Sequence, residues 1–171
     1  KSLEYAGCEI EYFVIKGKGI LAYIKHISIL RKHIKNNFYD IFHAHYSTSA
    51  IVASLAGCKP LVVSLMGSET KSGFLWKILI WVFYFFNWNY VIVKSHLMKK
   101  DIAIKNAKII PNGVNLEKVK PDEKYSYLFK LNTVLFAADP SRYEKNYPLA
   151  EKAISKLQNT DIILKIVHSK P

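Results

Sequence analysis

Cysteine is almost missing from this chain. Cys8 and Cys58 are its two thiols, too few for a disulfide framework and too far apart for a C-x-x-C metal or redox pair. A reducing, cytoplasmic setting fits. Acidic residues are scarce as well, 13 against 25 lysines and arginines, which leaves a formal net charge of +12. That balance favours acidic partners such as nucleotides, phosphorylated lipids and anionic membrane without choosing among them. The basic residues lack clustering: Lys25, Arg31, Lys32 and Lys35 lie on one stretch and Lys94, Lys99, Lys100, Lys105 and Lys108 on another, as solvated helix faces do. Without a basic stripe interleaved with aromatics, or a recognised motif, no nucleic-acid partner is expected. An initiator Met is missing too, as is a signal peptide with its cleavage site, so nothing marks the chain for secretion and it reads as a fragment.

What is present suffices for a core, since half of the 171 residues are hydrophobic. Glu9 to Ile15 has the composition of a strand, and apolar residues from Gly19 to Asn36 recur at helical spacing with one break at Arg31. A strand over Ile41 to His45, a small-residue helix over Thr48 to Ala56 and a wholly apolar, β-branched strand over Pro60 to Met66 follow. Such a run suits a parallel sheet covered on both faces. The spacing then predicts a long apolar helix to about Phe86, a strand from Tyr90 to Lys94, a helix from Ser95 to Ile104 and a strand from Lys108 to Ile110. A second series gives strand Thr133 to Ala138, helix Tyr147 to Gln158 and strand Asp161 to Val167. The alternation predicts an α/β fold built on a doubly wound parallel sheet, followed by the start of a second, similar domain.

Across Gly73 to Val93 only Lys77 is charged, about the length that spans a bilayer. Three readings stay open: a transmembrane helix, a buried helix of the α/β core, or a helix that also touches a membrane surface. Asn87 and Asn89 interrupt the run, Trp88 is an interfacial residue type, and the Tyr-Val-Ile-Val end looks like a strand.

Gly17-Lys18-Gly19-Ile20-Leu21-Ala22 follows a strand signal and opens a helix, the arrangement of a dinucleotide-binding turn. That site also needs an acidic residue at the end of the next strand to hold ribose hydroxyls. Here Asp40 precedes its strand, which ends in His43 and His45, so a glycine-rich turn beside lysines is the commoner explanation and a nucleotide-binding oxidoreductase the alternative.

His43-Ala44-His45-Tyr46 falls at the carboxyl end of a strand, where open α/β sheets place their ligands. Two histidines at i and i+2 share a face, yet zinc needs further ligands and no Cys, His or carboxylate motif supplies them, so no metal site is expected. The next strand ends in Ser64-Leu65-Met66-Gly67-Ser68-Glu69, where Gly67 permits close backbone approach and Ser68 and Glu69 offer polar groups. Two strand ends thus converge on one cleft.

The order of these segments resembles glycosyltransferase family 4, a group of GT-B enzymes. The matching stretches are Asp40-Ile41-Phe42-His43-Ala44-His45, Met66-Gly67-Ser68-Glu69, Val91-Ile92-Val93-Lys94-Ser95 and, most specific, Pro111-Asn112-Gly113-Val114-Asn115. Beyond them, Val134-Leu135-Phe136-Ala137-Ala138 resembles the family's first donor-domain strand, and Arg142 with Glu144-Lys145-Asn146 its Arg…Glu-Lys-Gly loop. The resemblance implies a retaining transferase that moves a sugar from a UDP- or GDP-sugar to a lipid-linked or polysaccharide acceptor, with no tightly bound cofactor, at the cytoplasmic face of the membrane. It implies an incomplete acceptor-side domain over 1–110, a hinge over 111–131 and the start of a donor-binding domain over 132–171. Arg142 and Lys145 would neutralise the nucleotide diphosphate. His43, Tyr46, Met66, Gly67, Ser68, Glu69, Asn112 and Gly113 would line the substrate cleft. The family's cleft histidine falls at Met66, which has no proton to exchange, so His45 is the candidate to supply the imidazole. Trp76, Lys77, Trp81 and Phe85 would meet the membrane, which the net positive charge favours. As a fragment without the rest of the donor domain, the chain alone is expected to transfer no sugar, and an inactive relic or binding module of the same fold is the alternative that Met66 leaves open.

Overall fold

Buried parallel strands show as continuous apolar runs because both pleat faces need cover, and the chain's runs condense into four short strands. The computed structural model describes residues 2–17, 19–71, 73–117, 132–157 and 162–167. The chain divides into two units, Lys1–Gly113 and Val114–Pro171. In the first, β1 (Phe42–His45), β2 (Leu61–Ser64), β3 (Tyr90–Val93) and β4 (Lys108–Ile109) pair in parallel in that order. Helix α1 (Ser2–Tyr5) is a single turn, α2 (Ile20–Lys35) leads into β1, and α3 (Ser47–Ala56), α4 (Phe74–Asn87) and α5 (His96–Ile102) connect successive strands.

The register pairs Ala44 with Val63 and Val63 with Val91, so these three share a face with Leu61 and Val93, and all five are buried. They form one core with Ala50 and Ala53 of α3, Ile80 of α4 and Ile102 of α5. Right-handed crossovers between strands taken in order put all three connecting helices on one side of the sheet. The opposite face carries His43, His45, Val62, Tyr90, Ile92 and Lys108, exposed or half-buried. Val62, in the middle of the run expected to be covered on both faces, is therefore only half-covered among the described residues.

Glu9 to Ile15, with the composition of a strand, forms none. Its backbone has no strand ladder among the described residues, and side chains of its surroundings hold it instead. His26 of α2 accepts from the Lys16 N–H at 3.2 Å, and Glu11 lies 2.9 Å from His33 while accepting from the Tyr39 hydroxyl. Composition proposes a strand, but a neighbouring strand has to pair with it.

Among the described residues no helix is long and apolar enough to cross a membrane, which removes the transmembrane reading of 73–93. The run breaks after Asn87, and Asn89 is sewn into the sheet: its side-chain oxygen accepts from Leu61 N–H at 2.8 Å and its own N–H donates to Leu61 O at 2.9 Å. Helix α4 packs Ile80 into the core with Trp76 and Phe83 beside it. Lys77 Nζ and Trp81 Nε1 donate to the carbonyls of Asp101 and Ile102 at 3.1 and 3.0 Å. Of the four residues expected to face outward, Trp81 and Phe85 are exposed, whereas Trp76 and Lys77 are half-buried. The outer stripe is Phe74, Leu75, Ile78, Trp81, Val82, Phe85 and Phe86, with the Trp81 N–H turned inward to its carbonyl partner.

The second unit holds β5 (Thr133–Phe136), α6 (Tyr147–Ser155) and β6 (Ile163–Ile166), with β5 and β6 parallel and Thr133 opposite Ile163. This is one βαβ unit, in which Phe136 meets Tyr147 edge to face at 5.1 Å. Of the stretch expected to be a hinge, 118–131 lies outside the described residues.

Candidate functional site

At the carboxyl end of β1 the chain has one residue in which to turn into α3, and that residue is Tyr46, with φ 79° and ψ 144°. L side chains rarely adopt this region, at a cost of about 1–3 kcal/mol. Two contacts hold the conformation: Tyr46 N–H donates to Ser64 O, and the Tyr46 hydroxyl shares a hydrogen bond with Ser68 Oγ, both at 2.9 Å. The tyrosine thus staples the end of β1 to the loop after β2.

That loop is organised by Glu69, which is 0% exposed. One of its carboxyl oxygens accepts from Ser47 N–H at 3.0 Å, and the other from Met66 and Gly67 N–H at 3.0 and 2.9 Å. Glu69 was expected to present its acid to the cleft. It lies beneath it instead, capping the first turn of α3 from another segment and offsetting the positive end of the helix dipole. Gly67, at φ 116°, lets the loop bend back over its own carboxylate, a conformation unfavourable for any residue with a Cβ. Met66 is 44% exposed on top of the same loop.

His43 and His45 point to the open face of β1, their rings 4.4 Å apart and tilted by 31°. His43 Nε2 shares a 2.8 Å hydrogen bond with the Ser64 hydroxyl, while His45 is exposed and sits opposite Ser64 in the register. Burial, and then the like charge of His45, hold His43 below the ordinary histidine value of 6.5. The folded chain therefore binds fewer protons there than the unfolded chain. The associated stability is complete above pH 6.5 and is lost as the pH falls through that value toward the lower folded one. Urea midpoints should fall on acidification across this window, and His43→Gln should flatten the slope; an unchanged slope in the variant would remove His43 as its source.

Asn112 and Gly113 lie outside any helix or strand at the end of the first unit. Lys94, at the end of β3, donates from Nζ to the Asn112 side-chain oxygen, and Ile110 N–H donates to Val93 O at 2.9 Å. The structure thus joins His43, His45, Tyr46, Ser68 and Met66 around the ends of β1 and β2, and places Asn112 at the end of β3. Sequence reasoning missed Ser64 and Lys94 as members of this arrangement. Ser64 ends β2 and Lys94 directly follows β3, and that position at strand ends was the available signal.

In the second unit, Arg142 and Lys145 flank one short 3-10 turn, closed by Lys145 N–H to Arg142 O at 2.9 Å. Arg142 is the extended residue that caps the turn and Lys145 is its last residue, so three positions of chain separate the two cations. The turn lies between the carboxyl end of β5 and the start of α6, where α/β units hold phosphates.

The glycine turn before α2 serves geometry. Gly17 has φ 105°, and a Cβ there would stand 3.1 Å from Ala22 Cβ. Among the described residues no three His, Cys, Asp or Glu side chains gather as a metal would require. The family model described as Glycosyltransferase Family 4 matches residues 6–118. No curated protein matches the chain.

Proposed function

Because the chain belongs to glycosyltransferase family 4, a glycosyltransferase-like function follows in general terms, and we propose that it carries the acceptor face and the diphosphate loop of a retaining enzyme. The donor is a UDP- or GDP-sugar, bound as substrate, and the acceptor a lipid-linked or polysaccharide hydroxyl. The observation that carries this reading is the division of polar groups. In the first unit Glu69 already occupies the amide at the start of α3, so the strand ends offer imidazoles and hydroxyls, suited to a sugar. In the second unit Arg142 and Lys145 bracket a short turn between β5 and α6, and their two cations suit a diphosphate.

In the proposed step the anomeric carbon–oxygen bond to the diphosphate breaks and a bond to the acceptor oxygen forms on the same face of the sugar. The acceptor's proton passes to the departing phosphate. Arg142 and Lys145 stabilise the charge that gathers on the leaving group. His45 positions the acceptor hydroxyl, in place of the group that Met66 cannot provide, and residues 111–131 act as the hinge that closes the donor domain. Ligand-observed NMR with UDP and GDP tests the loop: the double substitution Arg142→Ala with Lys145→Ala should weaken nucleoside diphosphate binding by at least about tenfold. Equal binding by parent and variant would sink the assignment.

The work is placed at the cytoplasmic face of the membrane, with an anionic lipid surface as partner. Supporting this are the net charge of +12 and the outer stripe of α4, on which Leu75 is 81% and Phe85 75% exposed. Phe85→Ser with Phe86→Ser should lower cosedimentation with phosphatidylglycerol vesicles by about tenfold or more, given the apolar area that each ring would bury. Undiminished cosedimentation would rule out this stripe as the contact.

A further inference from the structure

A cavity of about 520 Å³ opens where α4 ends, where β3 and β4 begin, and beside α5. Lys99, Lys105 and Lys108 line it together with Tyr84, Phe85 and Tyr90, and no carboxylate is among its lining residues. Among the described residues none of the three ammonium groups has a hydrogen-bond or ion-pair partner. A smaller hollow of about 350 Å³ shares Lys99 and Lys105 and adds Lys100. Like charges around a concave, low-dielectric wall repel one another and focus a positive field, which an entering anion relieves. The aromatic rings supply the apolar part of the wall.

Tyr90 and Lys108 are the first residues of β3 and β4, whereas His45 is the last of β1. In a parallel sheet these are opposite ends, so one small ligand cannot occupy both places, and the cavity stands apart from the end of the sheet where chemistry is performed. We propose that it is a second ligand site, which binds a phosphate group carried on an apolar body: lysines take the phosphate, and Phe85 and Tyr90 take the body. Two sources share this chemistry, an anionic phospholipid and a soluble phosphate compound. The site does not depend on α4 contacting a bilayer.

The test is a chemical-shift titration of the 171-residue chain with dihexanoylphosphatidylglycerol below its micelle concentration, with its phosphatidylcholine counterpart, and with inorganic pyrophosphate. No bilayer is present, so failure here is separable from failure of vesicle binding. Shifts should concentrate at 84–91 and 99–108. Lys99→Gln, Lys105→Gln and Lys108→Gln together should weaken binding by at least about tenfold, while Lys25→Gln, Lys32→Gln and Lys35→Gln on α2 should change it by less than about twofold. Preference for phosphatidylglycerol over pyrophosphate supports the site; equal or tighter binding of pyrophosphate, which carries no apolar body, would overturn it. Lack of binding by both, equal weakening by the two lysine triples, or equal binding of phosphatidylcholine would overturn it.

Discussion

Replacing Glu69 by alanine should cost the first unit about 4 kcal/mol, a large part of the whole stability of a domain this size. The carboxyl group is fully buried and receives three backbone N–H groups, from Ser47, Met66 and Gly67. Each would lose a charge-assisted partner in a place that water reaches poorly. Glutamine keeps one acceptor but turns an NH2 toward a backbone donor, so Glu69→Gln should cost about 2 kcal/mol rather than nothing. Urea unfolding reads both: with a slope of about 2 kcal/mol per molar, the alanine midpoint should drop by about 2 M. A glutamine variant as stable as the parent would show that shape alone holds the loop.

The second large effect is expected at Trp88, 5% exposed, whose Nε1–H donates to Ser54 Oγ at 3.0 Å while Ser54 itself donates to Ala50 O at 2.8 Å. The indole closes the gap between the end of α4 and α3. Trp88→Ala should cost about 3–5 kcal/mol through the cavity left behind. Trp88→Phe keeps most of the volume and loses one hydrogen bond, so about 1 kcal/mol is expected. Ser54→Ala should cost about as much as Trp88→Phe, and the double variant less than the sum, since both remove the same bond. Equal losses for phenylalanine and alanine would contradict the packing account.

These residues also show where sequence reading succeeds and where it stops. Leu61, Val63, Val91 and Val93 announced parallel strands because burial demands unbroken apolar composition. The helical period around Ile24, Ile27 and Ile34 announced α2. Trp88 was readable only as an amphipathic ring, because whether an indole faces lipid or a serine depends on which helix lies behind it. Glu69 looked like a cleft acid since nothing in its neighbours reveals that Ser47, 22 residues away, would need its oxygen. Glu9 to Ile15 had the residues of a strand without a ladder to join. In each case local composition was informative and the partner, set by tertiary contact, was not.

The placement of the indoles has a spectroscopic consequence. Trp76, Trp81 and Trp88 are the chain's three tryptophans, and all belong to α4 and the turn that follows it in the first unit. Intrinsic fluorescence will therefore follow the melting of that unit and be blind to β5, α6 and β6, whose ellipticity still contributes to the far-ultraviolet signal. If the two units unfold separately, the two optical probes will trace different denaturation curves, and their divergence measures the independence of the halves without any label.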